Sequence, residues 1–183
     1  MDCSPPILVV PHRPRTDDGF TSNAARGESG IEIHLVRDAD GSVYQVPLTY
    51  RGAPLPTARR VGEMEHSVLG HRYIYDATTD PVYVGQSLAT IDGAGREAEQ
   101  FLHVDGTAPR KVENTVRVRG NGSGSGAVPT VIEVRTTAAG TDTVIEAGDT
   151  PVVVHHRPGD TEPTGPALFG EWNTGRALLA HIR

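Results

Sequence analysis

Apolar and polar residues begin to alternate at Gly30. Ile31, Ile33 and Leu35 are separated by Glu32 and His34, the two-residue period of a strand with one covered face. Asp38, Ala39, Asp40 and Gly41 then supply turn chemistry, and residues 42–50 resume the extended pattern. The two runs predict a β-hairpin. Pro47 has no N–H to give a ladder, so its strand is expected at an edge, or with that position turned away from a neighbour. Residues 51–56 read as a Gly/Pro loop, and residues 70–75 return to extended chain with Tyr73 and Tyr75 on one face. The period changes at Asp80-Pro81. Aspartate is a good N-cap, proline suits the first helical turn, and Val84, Leu88 and Ile91 follow at helical spacing, so a helix is expected to run until just before Gly93.

Beyond that helix the pattern predicts short strands at 99–104, 115–119, 130–136, 141–146 and 151–155. A closing segment at 168–182 offers Phe169, Trp172, Leu178 and Leu179 to a core. Short strands separated by turns favour antiparallel pairing over βαβ units. The fold class expected is α+β, a predominantly antiparallel β-sheet or small barrel with one or two short helices. Residues 1–29 show no sustained period and read as an irregular or mobile N-terminus. The remainder divides into a domain over 30–119, a Gly/Ser-rich linker or loop over 120–126, and a small C-terminal β module over 127–183 packed on the first domain.

Composition narrows the function classes. The chain has 183 residues and a net charge of −6, so it can build a core without disulfides and lacks the cationic surplus of a general nucleic-acid binder. Cys3 is the only cysteine, which leaves no intramolecular bridge and no thiolate metal cluster. The apolar run Ile7, Leu8, Val9, Val10 is too short for a signal peptide or a membrane span. These features predict a cytoplasmic protein with no membrane association.

The chemistry on offer is sparse. The glycine run at 120–126 lacks the Gly-Lys-Ser/Thr ending of a phosphate loop, so a linker or hairpin loop is expected there. Glu65, His66, His71 and Asp76 form the best acid–base constellation, because a carboxylate can orient an imidazole that titrates near neutrality. Neighbours on a strand point to opposite faces, however, so Glu65 cannot orient His66 without a bend. Structural hydrogen bonding is the expected role of this group. His155 and His156 read as exposed residues at a strand end. Arg51, Arg72 and Tyr73 are residue types that recognise oxyanions and sugar faces. The candidate ligand-binding set is therefore Arg51, Glu65, His66, His71, Arg72, Tyr73 and Asp76, with no catalytic residue, no metal and no cofactor expected.

Three motifs, EHSVLG at 65–70, RYIYD at 72–76 and DPVYV at 80–84, resemble the N-terminal cap domain of maltokinases and related actinobacterial sugar kinases. The resemblance runs from about Gly30 to Ile91. Beyond it, Gly170-Glu171-Trp172 and the tail Ala177-Leu178-Leu179-Ala180 resemble free-standing cap-like proteins sometimes labelled 1,4-alpha-glucan branching proteins. A branching enzyme needs a large barrel with paired carboxylates, and a kinase needs metal and phosphate ligands on catalytic lobes. Neither fits within these 183 residues. The resemblance therefore implies a non-catalytic accessory or regulatory protein linked to maltose, trehalose or glycogen metabolism. Its partner would be a sugar-metabolism kinase or related enzyme, or a second copy of itself. The alternative is a sugar or sugar-phosphate binding protein, or a minor enzyme, using the His66, His71, Arg72 and Tyr73 region.

Overall fold

The computed structural model describes residues 7–10, 29–66, 69–98, 100–102 and 110–183. Five antiparallel strands form the first sheet: β1 (Ile7–Val10), β2 (Ser29–Arg37), β3 (Val43–Arg51), β4 (Arg60–His66) and β5 (Gly70–Asp76), in the order β1-β2-β3-β5-β4. The predicted hairpin is β2 and β3. Its turn closes through Asp38, whose carboxylate accepts from the N–H groups of Asp40 and Ser42, while Gly41 takes a φ of 86° that other residues adopt at a cost. Pro47 lies in an interior strand, but β3 pairs with β5 only over Leu48–Arg51. The missing N–H thus falls just outside that ladder.

The single α-helix among the described residues, α1 (Pro81–Asp92), starts where the sequence predicts. A 3₁₀ turn (Ala77–Thr79), capped by Asp76, leads into it from β5. The next strands are β6 (Gln100–Leu102) and β7 (Arg110–Val112), which pair with each other, and β8 (Arg117–Gly120). They are followed by β9 (Arg135–Ala139), β10 (Asp142–Glu146), β11 (Val152–Gly159), β12 (Ala167–Trp172) and β13 (Gly175–Ile182). The second sheet has the order β8-β12-β13-β11-β10-β9. Strand β8 ends on the first glycine of the run at 120–126, and its sheet partners follow that run. Ile31, Ile33 and Leu35 of β2, Tyr83, Val84, Leu88 and Ile91 of α1, and Val118, Val152, Leu168 and Leu179 of the second sheet belong to one buried cluster. Gln45, 1% exposed, ties the sheets together by donating to the carbonyls of Leu179 (3.1 Å) and His155 (3.3 Å).

The last turn of a helix leaves four carbonyls without intrahelical partners. Here the carbonyl of Ala89 accepts from Gly93 N–H, and that of Thr90 accepts from Gly95 N–H. The two that remain are reached by the distant glycine run: Gly122 N–H donates to Ile91 and Gly124 N–H to Asp92, each at 2.9 Å. The run at 120–126 is a loop pressed onto the end of α1.

Several expectations differ from the structure. Ile7–Val10 pairs with β2 although residues 1–29 carry no period; residues 1–6 and 11–28 of that segment lie outside the described residues, as do residues 99, 103 and 104 of the strand expected at 99–104. The strand expected at 130–136 instead begins at Arg135, because Val131 and Val134 pack against the core from a segment with no ladder. Strand β4 has no counterpart among the predicted elements. It is an edge strand with mostly exposed side chains, so it shows no apolar alternation.

Candidate functional site

The seven candidate residues divide among three places. Arg51, at the end of β3, reaches Asp80 with Nε (2.7 Å) and Nη2 (2.6 Å) in a two-pronged pair. Asp80 is fully buried, accepts a further bond from Thr49 Oγ1 (2.8 Å), and caps α1 by accepting from Val82 N–H (2.9 Å). Asp76 bonds Arg59 and accepts from Thr78 N–H (2.9 Å). Burial alone would raise its pKa, but the hydrogen bonds from Arg59 and Thr78 outweigh burial and hold the carboxyl below its ordinary range. Arg51 and Asp76 thus anchor the start of α1.

The β4–β5 hairpin separates the others by face. Glu63 pairs with Tyr73 across the ladder and Glu65 with His71, and both carboxylates bond the His71 ring, Glu65 to Nδ1 (2.7 Å) and Glu63 to Nε2 (3.2 Å). Tyr73 meets the same ring edge-on, with centroids 4.8 Å apart. Met64 pairs with Arg72 on the opposite face, toward which His66 also points. There His66 Nδ1 accepts from Leu69 N–H (3.1 Å). The carboxylate that orients an imidazole here is therefore Glu65 acting on His71, two positions from which no adjacency in sequence hints. Arg72 is 6% exposed, and its Nε has no hydrogen-bond partner.

The Glu65 hydrogen bond is the main cause of a raised His71 pKa, above the ordinary 6.5. A raised value means that the pair helps the fold below about pH 6.5, and that this help fades as pH rises through the folded-state pKa; exposure keeps it small. Glu65→Gln is expected to move the His71 titration midpoint back toward 6.5, read by ring ¹⁵N chemical shifts. An unmoved midpoint contradicts the assignment.

The face carrying Met64 and Arg72 looks away from α1. Residues Tyr44, Val46, Leu48 and Tyr50 of β3 point outward between the buried Gln45, Pro47 and Thr49. Ile74 sits opposite Tyr50. Tyr44 is 36% exposed, Val46 40% and Met64 38%. The same face carries His66 and Arg72 and, toward β2, Glu32, His34 and Tyr50: His34 Nε2 lies 3.3 Å from Glu32 and 3.4 Å from the Tyr50 hydroxyl. Burial, followed by the charge of Glu32, raises the Tyr50 pKa and keeps its proton in place.

A family model locates this sheet. Residues 10–80 match the maltokinase N-terminal cap domain. The match covers less than half of the chain, and no curated protein matches it. The cap segment takes in β2 to β5 and ends on Asp80, the residue that caps α1. It contains all seven candidate residues and the whole outward apolar row. The helix and the second sheet lie beyond it.

Outside the cap segment the structure assembles a group that spacing alone does not disclose. Asp142 and His155 are cross-strand partners in β10 and β11, and Asp142 Oδ2 lies 2.9 Å from His155 Nδ1. His155 Nε2 lies 3.0 Å from Nδ1 of His181 in β13. His156, on the other face, bonds Thr143 Oγ1 (2.9 Å) and the Gln45 carbonyl (3.1 Å). Both histidines are half-buried and bonded, where the sequence reading expects exposed ones, because flanking strands supply polar partners on each face. Burial first, then its neighbours His155 and Arg183, hold His181 below 6.5. Among the described residues no cluster has metal-binding geometry, and no helix is long and apolar enough to cross a membrane.

Proposed function

We propose that this is a maltokinase-cap-like accessory or regulatory protein of the cytoplasm, with no catalysis of its own. It docks through the outward face of the first sheet on the catalytic domain of a kinase of sugar metabolism. The observation that carries this reading is the row Tyr44, Val46, Met64 with the half-buried Leu48 and Ile74, an apolar face within the matched cap segment. Apolar side chains grouped on one sheet face, bordered by Glu32 and His34, suit a protein interface with a dry centre and a polar rim. The choice of partner follows from the cap match, since a cap domain is a part of a kinase. Maltose, trehalose or glycogen metabolism is the setting that choice implies.

Capture from native lysate with the wild-type chain and with Val46→Asp as paired baits is the test. A sugar-metabolism kinase retained by the first and lost from the second is expected. Equal recovery on both baits, or recovery of another copy of this chain alone, overturns the reading.

A further inference from the structure

A cleft of about 480 Å³ opens along β11 and the loop that follows it, within the size range of small-molecule sites. Asp142, His155 and His181 line one side, and Arg157, Thr161 and Glu162 contribute to the remainder. Its charges are unevenly committed. Glu162 accepts from Arg176 Nη1 at 3.0 Å, and Arg176 is further occupied by Glu171 (3.4 Å) and by stacking on Phe169 (3.9 Å). The Asp142 carboxylate is bonded by His155. Arg157, by contrast, is exposed and gives one long bond, to the Ser42 hydroxyl at 3.2 Å. The residue lines the cleft, and its guanidinium carries further donors beyond that bond.

The hydrogen-bond chain fixes what the histidines offer. With Asp142 accepting the Nδ1 proton, a neutral His155 has only a lone pair at Nε2, so His181 must donate from its own Nδ1. Nε2 of His181 is then an acceptor. One added proton reverses this: His181 presents an N–H at Nε2, and the positive charge spreads through His155 toward Asp142. The charged groups facing the pair are Asp142 from β10, Arg157 from β11, Glu162 from the following loop, and Arg183 at the end of β13.

We infer that this cleft binds the phosphate group of a small phosphomonoester, held by the Arg157 guanidinium and by protonated His181, with Asp142 and His155 orienting the imidazole. Donors approaching from two strands and from the Thr161 hydroxyl suit a tetrahedral oxyanion, which accepts from several directions, better than a planar carboxylate gripped by one fork. Binding takes up a proton, because the anion favours the charged form of a ring that burial otherwise keeps neutral. The site is separate from the docking face and stands or falls independently of it.

Sulfate keeps its charge between pH 6 and pH 8, so it probes the proton linkage without titrating itself. Titration of the full chain with sulfate, followed by ring ¹⁵N shifts, is expected to give saturable movement at His181. Binding at pH 6 should be at least tenfold tighter than at pH 8, and Arg157→Ala should weaken binding at pH 6 at least tenfold. Arg157 is exposed, so that variant keeps the fold, which its thermal melt checks. Inorganic phosphate should bind like sulfate, and acetate more weakly. No saturable shift, equal affinity at the two pH values, an Arg157→Ala variant that binds normally, or acetate binding as tightly as phosphate each overturns the inference.

Discussion

Gly120→Ala and Gly122→Ala are each expected to destabilise the fold by about 3 kcal/mol or more, or to prevent folding, measured by urea denaturation. A Cβ at residue 120 would stand 2.0 Å from the carbonyl oxygen of Thr90, and one at residue 122 would stand 2.4 Å from that of Asp92. Both obstacles are backbone, so neither can swing aside as a side chain does. Relief requires lifting the loop from α1, which breaks the bonds from Gly120 N–H to Gly95 and from Gly122 N–H to Ile91. It also strips the helix of a cap that its own sequence does not supply, since no basic residue lies in its last turn. Ser123 directly follows these positions and is exposed. Ser123→Ala should change stability by less than about 0.5 kcal/mol. A loss below about 1 kcal/mol at Gly120 and Gly122 would mean that the loop does not sit on the helix.

Asp80→Ala carries the other large effect, an expected loss of roughly 3–5 kcal/mol. The carboxylate is buried and bonded to Arg51, Thr49 and the Val82 N–H, so its removal leaves a guanidinium and a hydroxyl without their acceptor and uncaps α1. Arg51→Met should cost nearly as much, because it strands a buried charge. Asp80→Asn separates the two roles. Asparagine is an equally good N-cap but a neutral one, so a loss midway between wild type and alanine is expected if cap and ion pair both contribute. Denaturant midpoints at constant slope measure all three. An Asp80→Ala variant as stable as wild type would show that the helix start is held by packing alone.

The parts of this molecule that local chemistry dictates were legible in the sequence. Ile31, Ile33 and Leu35 disclose a covered strand face, and Asp80-Pro81 discloses a helix start, because a period of two and an N-cap are properties of neighbouring residues. The glycine run was legible only as composition. Its purpose depends on α1, about thirty residues earlier in the chain, whose last carbonyls it reaches. The candidate residues dispersed for a similar reason. Strand register gives Glu65 to His71 and places Arg72 on the far side of the sheet, and the pull of Asp80 takes Arg51 into the structure. Asp142, His155 and His181 come from three strands and meet only through register, so no spacing announces them.

Titration of the purified chain into a maltokinase catalytic domain stripped of its own cap tests docking through the first sheet most directly. Saturable binding that Val46→Asp and Met64→Asp each weaken at least tenfold, with their thermal melts unchanged, is the predicted result. Absence of binding, or binding indifferent to both substitutions, would contradict it.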